Sequence, residues 1–203
     1  MIDSFKTIRT PASARITRKR SRFLAFLLPV ASIEEIMEAI NGLRKEHHDA
    51  VHVCSAYRLH ANPEPQAGSD DDGEPSESAG GPMLQQLERA ELLDVLAAVV
   101  RHFGGVKLGV GGLVRAYGDA VMAAIEAAAI VRRRLLSHID VSYPPTLTSA
   151  VMRTIHQFGA EIERIEYDAL AQAVVAVPPS RLAEFVGAMQ EATGGQATVE
   201  VRA

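Results

Sequence analysis

The sequence predicts a two-domain α+β protein, with an N-terminal domain over residues 1–135 and a C-terminal domain over residues 136–203. Three observations predict it. The apolar positions alternate between strand-like and helical spacing along the whole chain. The last third restarts the pattern in the order strand, helix, strand, strand, helix, strand. A chain of 203 residues that is 47% hydrophobic suits a globular protein of one or two domains.

Phe23 to Val30 reads as a buried strand. Ser32 followed by Glu35 is a capping box, in which hydroxyl and carboxylate satisfy free amides at a helix start, and Ile33, Ile36, Met37, Ile40 and Leu43 then share one helical face. Ala50 to Leu59 sets Val51, Val53, Ser55, Tyr57 and Leu59 against His52, Cys54, Ala56 and Arg58, as a strand with two different surfaces would. Residues 61–81, rich in Pro, Gly, Ser and Asp, read as a long loop, a feature that is usually functional or disordered. Pro82 suits a first helical turn and opens a short helix with Met83, Leu84 and Leu87 inward. Leu92, Val95, Leu96, Val99, Val100 and Phe103 recur at helical spacing, yet the run is short, apolar and closed by Gly104 and Gly105; pattern alone favours helix. Leu113, Tyr117, Ala120, Val121, Ala124 and Ala128 line one face of a further helix, and Arg132, Arg133 and Arg134 fall where cations suit its C-terminal dipole.

In the C-terminal domain a strand over Ile139–Tyr143 is broken by Pro144 and Pro145. A helix with Leu147, Val151, Ile155 and Phe158 inward follows, then strands near Ala160–Tyr167 and Ala171–Val177. A second helix with Leu182, Phe185, Val186 and Met189 inward precedes a last strand carrying Ala197, Val199 and Val201. This is the split βαβ, or ferredoxin-like, order.

Composition excludes several classes. No apolar run approaches the roughly 18 residues of a membrane span, and Met1 to Thr10 lacks the apolar region of a signal peptide, so a cytoplasmic protein is expected. Cys54 stands alone, which rules out an internal disulfide and a zinc site built from cysteines. The net charge of −4 hides a polarity. Lys6, Arg9, Arg15, Arg18, Lys19, Arg20 and Arg22 crowd residues 1–22, with a basic arm at residues 15–22, whereas Glu64, Asp70, Asp71, Asp72, Glu74 and Glu77 make residues 61–81 acidic. A net acidic chain is poorly suited to coating DNA, but a local basic arm can grip phosphate.

The most informative stretch runs from Phe103 to Gly118. Gly104, Gly105, Gly109, Gly111 and Gly112 precede a helix, where backbone amides can approach an anion. Neither the Walker spacing nor the dinucleotide fingerprint is met, and a tight turn with close helix packing explains the glycines equally well.

This motif, together with Ser69-Asp70-Asp71-Asp72-Gly73-Glu74-Pro75-Ser76 and His52-Val53-Cys54-Ser55-Ala56-Tyr57-Arg58, closely resembles the IMPACT family, including its bacterial members of the YigZ type. The resemblance covers roughly residues 4–130. It implies an N-terminal domain similar to domain IV of elongation factor G, a ribosomal-protein domain-2-like fold, and a ferredoxin-like C-terminal domain similar to that factor's domain V. It also implies a strand at Val95 to Phe103, which is accepted over the helical spacing because a buried strand can be apolar throughout. Eukaryotic relatives regulate translation by competing for an activator of a translation-initiation kinase; bacterial members have no settled role and have been suspected of binding nucleic acid or the ribosome. The sequence departs from the family in having Ser76-Glu77-Ser78-Ala79-Gly80 for Ser-Gly-Thr-Ala-Gly, and His102 where tyrosine is common.

Three functions follow as expectations. The first is a non-enzymatic protein in a translation-related process that contacts RNA or the ribosome, with phosphate held by Arg18, Lys19, Lys107 and Arg115 and by the amides of Gly104, Gly105, Gly111 and Gly112. The second is a protein-interaction regulator that presents the acidic loop with Tyr57 and Arg58 to a regulatory protein. The third is an enzyme on a phosphorylated substrate, with Asp71, Asp72 and Glu74 holding a divalent ion. No catalytic residue and no cofactor are assigned, and no membrane partner is expected. His52 and Cys54 could together touch one metal but read first as packed residues; His47 and His48 read as helix C-terminal residues, and Ser76 and Ser78 as turn formers.

Overall fold

The computed structural model describes residues 2–61 and 64–202. The chain forms two compact units, one of Phe5–Arg133 and one running from Arg134 onward together with the residues before Phe5.

The first unit is built on a five-stranded sheet of order β2-β3-β6-β4-β5, all neighbours antiparallel: β2 (Ala12–Arg18), β3 (Ser21–Pro29), β4 (His52–Leu59), β5 (Gln66–Asp70) and β6 (Val95–His102). Helix α1 (Ile33–Glu46) covers one face, burying Ile36 and Leu43 against Val53, Leu96, Ala98 and Val100. Helices α2 (Gly80–Arg89) and α3 (Val110–Ala127) cover the other, where Met83, Leu87, Leu113, Ala116, Tyr117 and Ala120 meet Phe23, Ala25, Cys54, Ala56, Ala97 and Val99. A central strand covered on both faces must be apolar at every position, so Val95 to Val100 are all buried and mimic helical spacing. The strand reading of this segment is the correct one.

Several expectations are corrected. The basic arm lies in the β2–β3 hairpin, where Ala12, Ala14 and Ile16 pack on the core. It is preceded by β1 (Ser4–Ile8), which pairs with β7 (Ile130–Arg134) and also meets Leu92 and Leu93 through Lys6. Residues 61–81 contain β5 and the start of α2. Met37 is 58% exposed, because α1 rests on the sheet by a narrower stripe than its apolar positions suggest. Helix α3 stops at Ala127 and Ala128 is extended, so Arg132–Arg134 lie in a strand and not at a helix end. In the capping box of α1, Ser32 Oγ accepts from Glu35 N at 3.3 Å, while the Glu35 carboxylate accepts from Ala31 N at 2.7 Å, one residue earlier than the usual partner.

The second unit is the predicted βαββαβ domain. Strands β8 (Ser137–Tyr143), β9 (Glu161–Tyr167), β10 (Ala171–Val177) and β11 (Thr198–Val201) form an antiparallel sheet of order β11-β8-β10-β9. Helices α4 (Thr148–Phe158) and α5 (Leu182–Ala192) bury Val151, Ile155, Phe158, Phe185 and Met189 against Ile139, Val141, Ala173 and Val175. Each helix is preceded by a 3-10 turn that begins with a proline, Pro145 or Pro179. Among the described residues no helix is long and apolar enough to cross a membrane.

Candidate functional site

One charged residue interrupts the apolar central strand. Strand alternation turns Arg101 toward α3, in a cross-strand row with Phe23 and His52. Its side chain is only 7% exposed, and a charge so placed needs a partner. The partner is Glu74, 4% exposed, whose Oε1 accepts from Arg101 Nη1 at 2.5 Å and from the buried Tyr117 hydroxyl at 2.7 Å. Cys54 Sγ donates toward the Tyr117 hydroxyl at 3.3 Å and the Asp71 carbonyl at 3.1 Å. Burial pushes the Cys54 thiol up to about 12 and also raises the Tyr117 phenol, so both stay neutral. Packing was the first expectation for Cys54, and its thiol is buried in the core between the sheet and α3.

His52 closes the cluster. Its Nδ1 lies 2.7 Å from the Asp72 carbonyl, which can only accept, so Nδ1 carries the hydrogen and Nε2 is turned toward Glu74 Oε2 at 3.9 Å. Gly73, at φ +82°, lets the loop turn beneath the imidazole between Asp72 and Glu74.

The acidic loop is a scaffold. Asp71 accepts from the amides of Glu77, Ala79 and Gly80 at 2.8–2.9 Å and caps α2, which has no cap of its own at Ala79. Burial pushes the Asp71 carboxyl up, but these donors outweigh it and hold the group below its ordinary value. Asp72 accepts from Val53 N at 2.6 Å with one oxygen and from Arg44 at 2.8 Å with the other. Asp71 and Asp72 are thus bonded within the protein and Glu74 sits in a buried ion pair, and among the described residues no group of three or more His, Cys, Asp or Glu is arranged to hold a metal. The expected partner surface also divides. Tyr57 lies on the opposite sheet face, its ring so close to Gly68 that a Cβ there would stand 2.7 Å from it, and Arg58, at the far end of β4, donates to the Leu92 carbonyl at 3.2 Å.

The basic residues gather at the sheet end that holds Arg101 and His52. Lys19 and Arg20, at φ 44° and 68°, form the tip of the β2–β3 hairpin and are exposed. The tip sits directly on Gly104: a Cβ there would stand 2.1 Å from the Arg20 carbonyl carbon, and Gly104 N donates to Ser21 Oγ at 3.1 Å. Arg18 is ion-paired with Asp119 of α3 at 3.0 Å, and Arg115 lies one turn earlier on that helix. The expected amide cradle is smaller than the glycine count. The Gly104 amide is used by Ser21 and the Gly112 amide by the Gly109 carbonyl, which leaves Gly105 at φ +81° and the first-turn amides of Val110 and Gly111, at a helix start with no acidic residue and no side-chain cap.

Between the glycine loop and the buried cluster lies a pocket of about 400 Å³ lined by Val51, His52, Glu74, Arg101, Phe103 and Lys107, together with the start of α3. Arg101 and Tyr117 were missed as site residues in the sequence. The available signal was an arginine inside an apolar run, since buried arginine is rare unless paired.

Comparison with known proteins agrees over both units. The Impact N-terminal domain matches residues 19–125, and a domain of unknown function, DUF1949, matches residues 141–196. The IMPACT family member YvyE of Bacillus subtilis is 33% identical over 200 residues, covering 98% of this chain and 92% of that protein. The IMPACT family member YigZ of Escherichia coli is 33% identical over 178 residues, covering 87% of each. A solved structure described as a hypothetical protein superposes with a TM-score of 0.69 at 30% identity, over 98% of this chain and 97% of that one. On the domain match and the near full-length identity to YvyE and YigZ, the chain belongs to the IMPACT family.

Proposed function

We propose that the protein is a non-enzymatic binding protein of the cytoplasm that acts in a translation-related process by gripping the phosphate backbone of RNA, free or within the ribosome. The observation that carries this reading is the seating of the basic hairpin tip on Gly104, which holds Lys19 and Arg20 beside the glycine loop with Lys107 and the open start of α3. Backbone contacts of this kind position a nucleic acid without reading its sequence. The contacts are assigned to Lys19, Arg20, Lys107, Arg115 and the amides of Val110 and Gly111, with Gly105 shaping the loop. Arg18 takes part only by exchanging Asp119 for phosphate.

The test is co-sedimentation with ribosomes and binding of short RNA across a salt series, with Lys19→Glu and Lys107→Glu beside the parent. Neutralising each phosphate releases counterions, so affinity should fall linearly on logarithmic axes with salt, and each reversal should weaken binding and lower the slope by about one. Binding indifferent to both salt and charge reversal refutes the proposal. A protein partner recovered in place of RNA would favour the interaction-regulator reading.

A further inference from the structure

The pocket at this end of the sheet has a chemistry that phosphate binding alone does not use. Its volume of about 400 Å³ falls in the small-ligand range. Its walls are apolar and open to solvent, with Val51, Phe103 and Val110 57%, 48% and 56% exposed. Its floor is polar and buried. Glu74 Oε1 is held by Arg101 and Tyr117, whereas Oε2 stands 3.9 Å from His52 Nε2, too far for a hydrogen bond. Arg101, more than nine-tenths buried, has an Nε with no hydrogen-bond partner. Because His52 Nδ1 donates to the Asp72 carbonyl, neutral His52 offers Nε2 as an acceptor. The floor therefore presents two neighbouring acceptors beside a guanidinium, and the rim presents Lys107 and the uncapped N-terminus of the 18-residue α3.

We infer that this pocket binds a single guanine nucleotide, with the base against Phe103 and its phosphate at Lys107 and the first amides of α3. Guanine places two adjacent donors, N1–H and the 2-amino group, next to the acceptor O6 on one edge. Glu74 Oε2 and His52 Nε2 accept from the donors, and the guanidinium of Arg101 faces O6. Adenine and cytosine bring one amino group next to an acceptor nitrogen, and uracil a single N–H between two carbonyls, so each would leave a floor acceptor unmatched. The aromatic wall supplies stacking, which every base shares; the floor supplies the choice. The inference rests on the reading of this sheet end as a phosphate-binding surface and adds which nucleotide it selects, whether that nucleotide is free or extruded from RNA.

Calorimetric titration of the full chain with GMP, AMP, CMP and UMP tests it, run beside single-stranded uridine-rich hexamers with and without one guanosine. GMP, or the guanosine-bearing hexamer, should bind at least about tenfold more tightly than its counterparts, and Phe103→Ala should weaken that binding about tenfold. Glu74→Gln removes one acceptor but strands the charge of Arg101, so Phe103→Ala at the exposed wall is the deciding variant. Binding of GMP without RNA binding supports the pocket with a free nucleotide as ligand and refutes the RNA reading. Guanosine-selective RNA binding without GMP binding supports a nucleotide taken from RNA. Salt-sensitive RNA binding blind to base identity and unchanged by Phe103→Ala overturns the pocket and leaves the proposed function standing, and absence of binding by every probe overturns both.

Discussion

Replacing Glu74 with Gln should destabilise the first unit by about 3–5 kcal/mol, the cost of leaving a buried charge without its counterion. The magnitude follows from the site. Both side chains are more than nine-tenths buried, and Arg101 Nε already lacks a partner. The guanidinium cannot release its charge by deprotonation. The rings of Phe23 and Phe103, 5.7 and 5.6 Å away, attract it but do not replace a carboxylate. Against a total stability of about 5–15 kcal/mol the loss is large, and at a urea dependence of about 1–3 kcal/mol per molar it moves the unfolding midpoint by about 1 M or more. Far-UV circular dichroism in urea reads it, with Arg101→Met and the double variant completing a cycle. The double variant should recover most of the loss, because it leaves no charge buried without its counterion. A single-variant cost under about 1 kcal/mol, or a double variant costing the sum of the two, would refute the claim that these residues form a desolvated, mutually dependent pair.

Two further outcomes are expected from the scaffold. Gly104→Ala places a Cβ 2.1 Å from the Arg20 carbonyl carbon and 2.4 Å from Ser21 N, so it should lower stability by about 1–3 kcal/mol and weaken RNA binding; a variant as heat-stable as the parent would show that the hairpin tip is not seated there. The Asp71 carboxyl is held below its ordinary 3.8 by three amide donors, so its contribution is present above that value and is lost as pH falls through the lower folded value. Asp71→Asn should therefore melt earlier at neutral pH and lose less on acidification, and parallel melting curves down into acid would contradict the capping role.

The elements that show in the sequence are those with one wet face or a specific boundary. The capping box of α1, the proline break after β8 and the alternation of β4 each leave a local mark. The elements that do not show are those whose signal is removed by their neighbours. Strand β6 is apolar on both faces and so loses its period. Strand β5 is an edge of Gln, Ala, Gly, Ser and Asp held by backbone pairing with β4. Strand β2 sets only Ala12, Ala14 and Ile16 against Ser13, Arg15 and Thr17, too small an apolar contrast to show its period. At the candidate site, the glycine loop and the Asp-Asp-Gly-Glu-Pro run were visible as important, but their roles were not. Asp71 and Asp72 became internal brackets, and Glu74 became the buried partner of Arg101, a residue 27 positions away that only the fold brings near.

The pairing of β1 has a consequence for how the chain is made. Its ladder partners are Leu92, Leu93 and β7, so the segment leaves the ribosome on the order of a hundred residues ahead of the backbone that will receive it. At about 5–20 residues per second the interval lasts on the order of ten seconds. Throughout it Phe5 and Ile8, both buried in the finished protein, remain without that ladder to hold them. The start of the domain is thus a latch, drawn shut only once its far end has been synthesised.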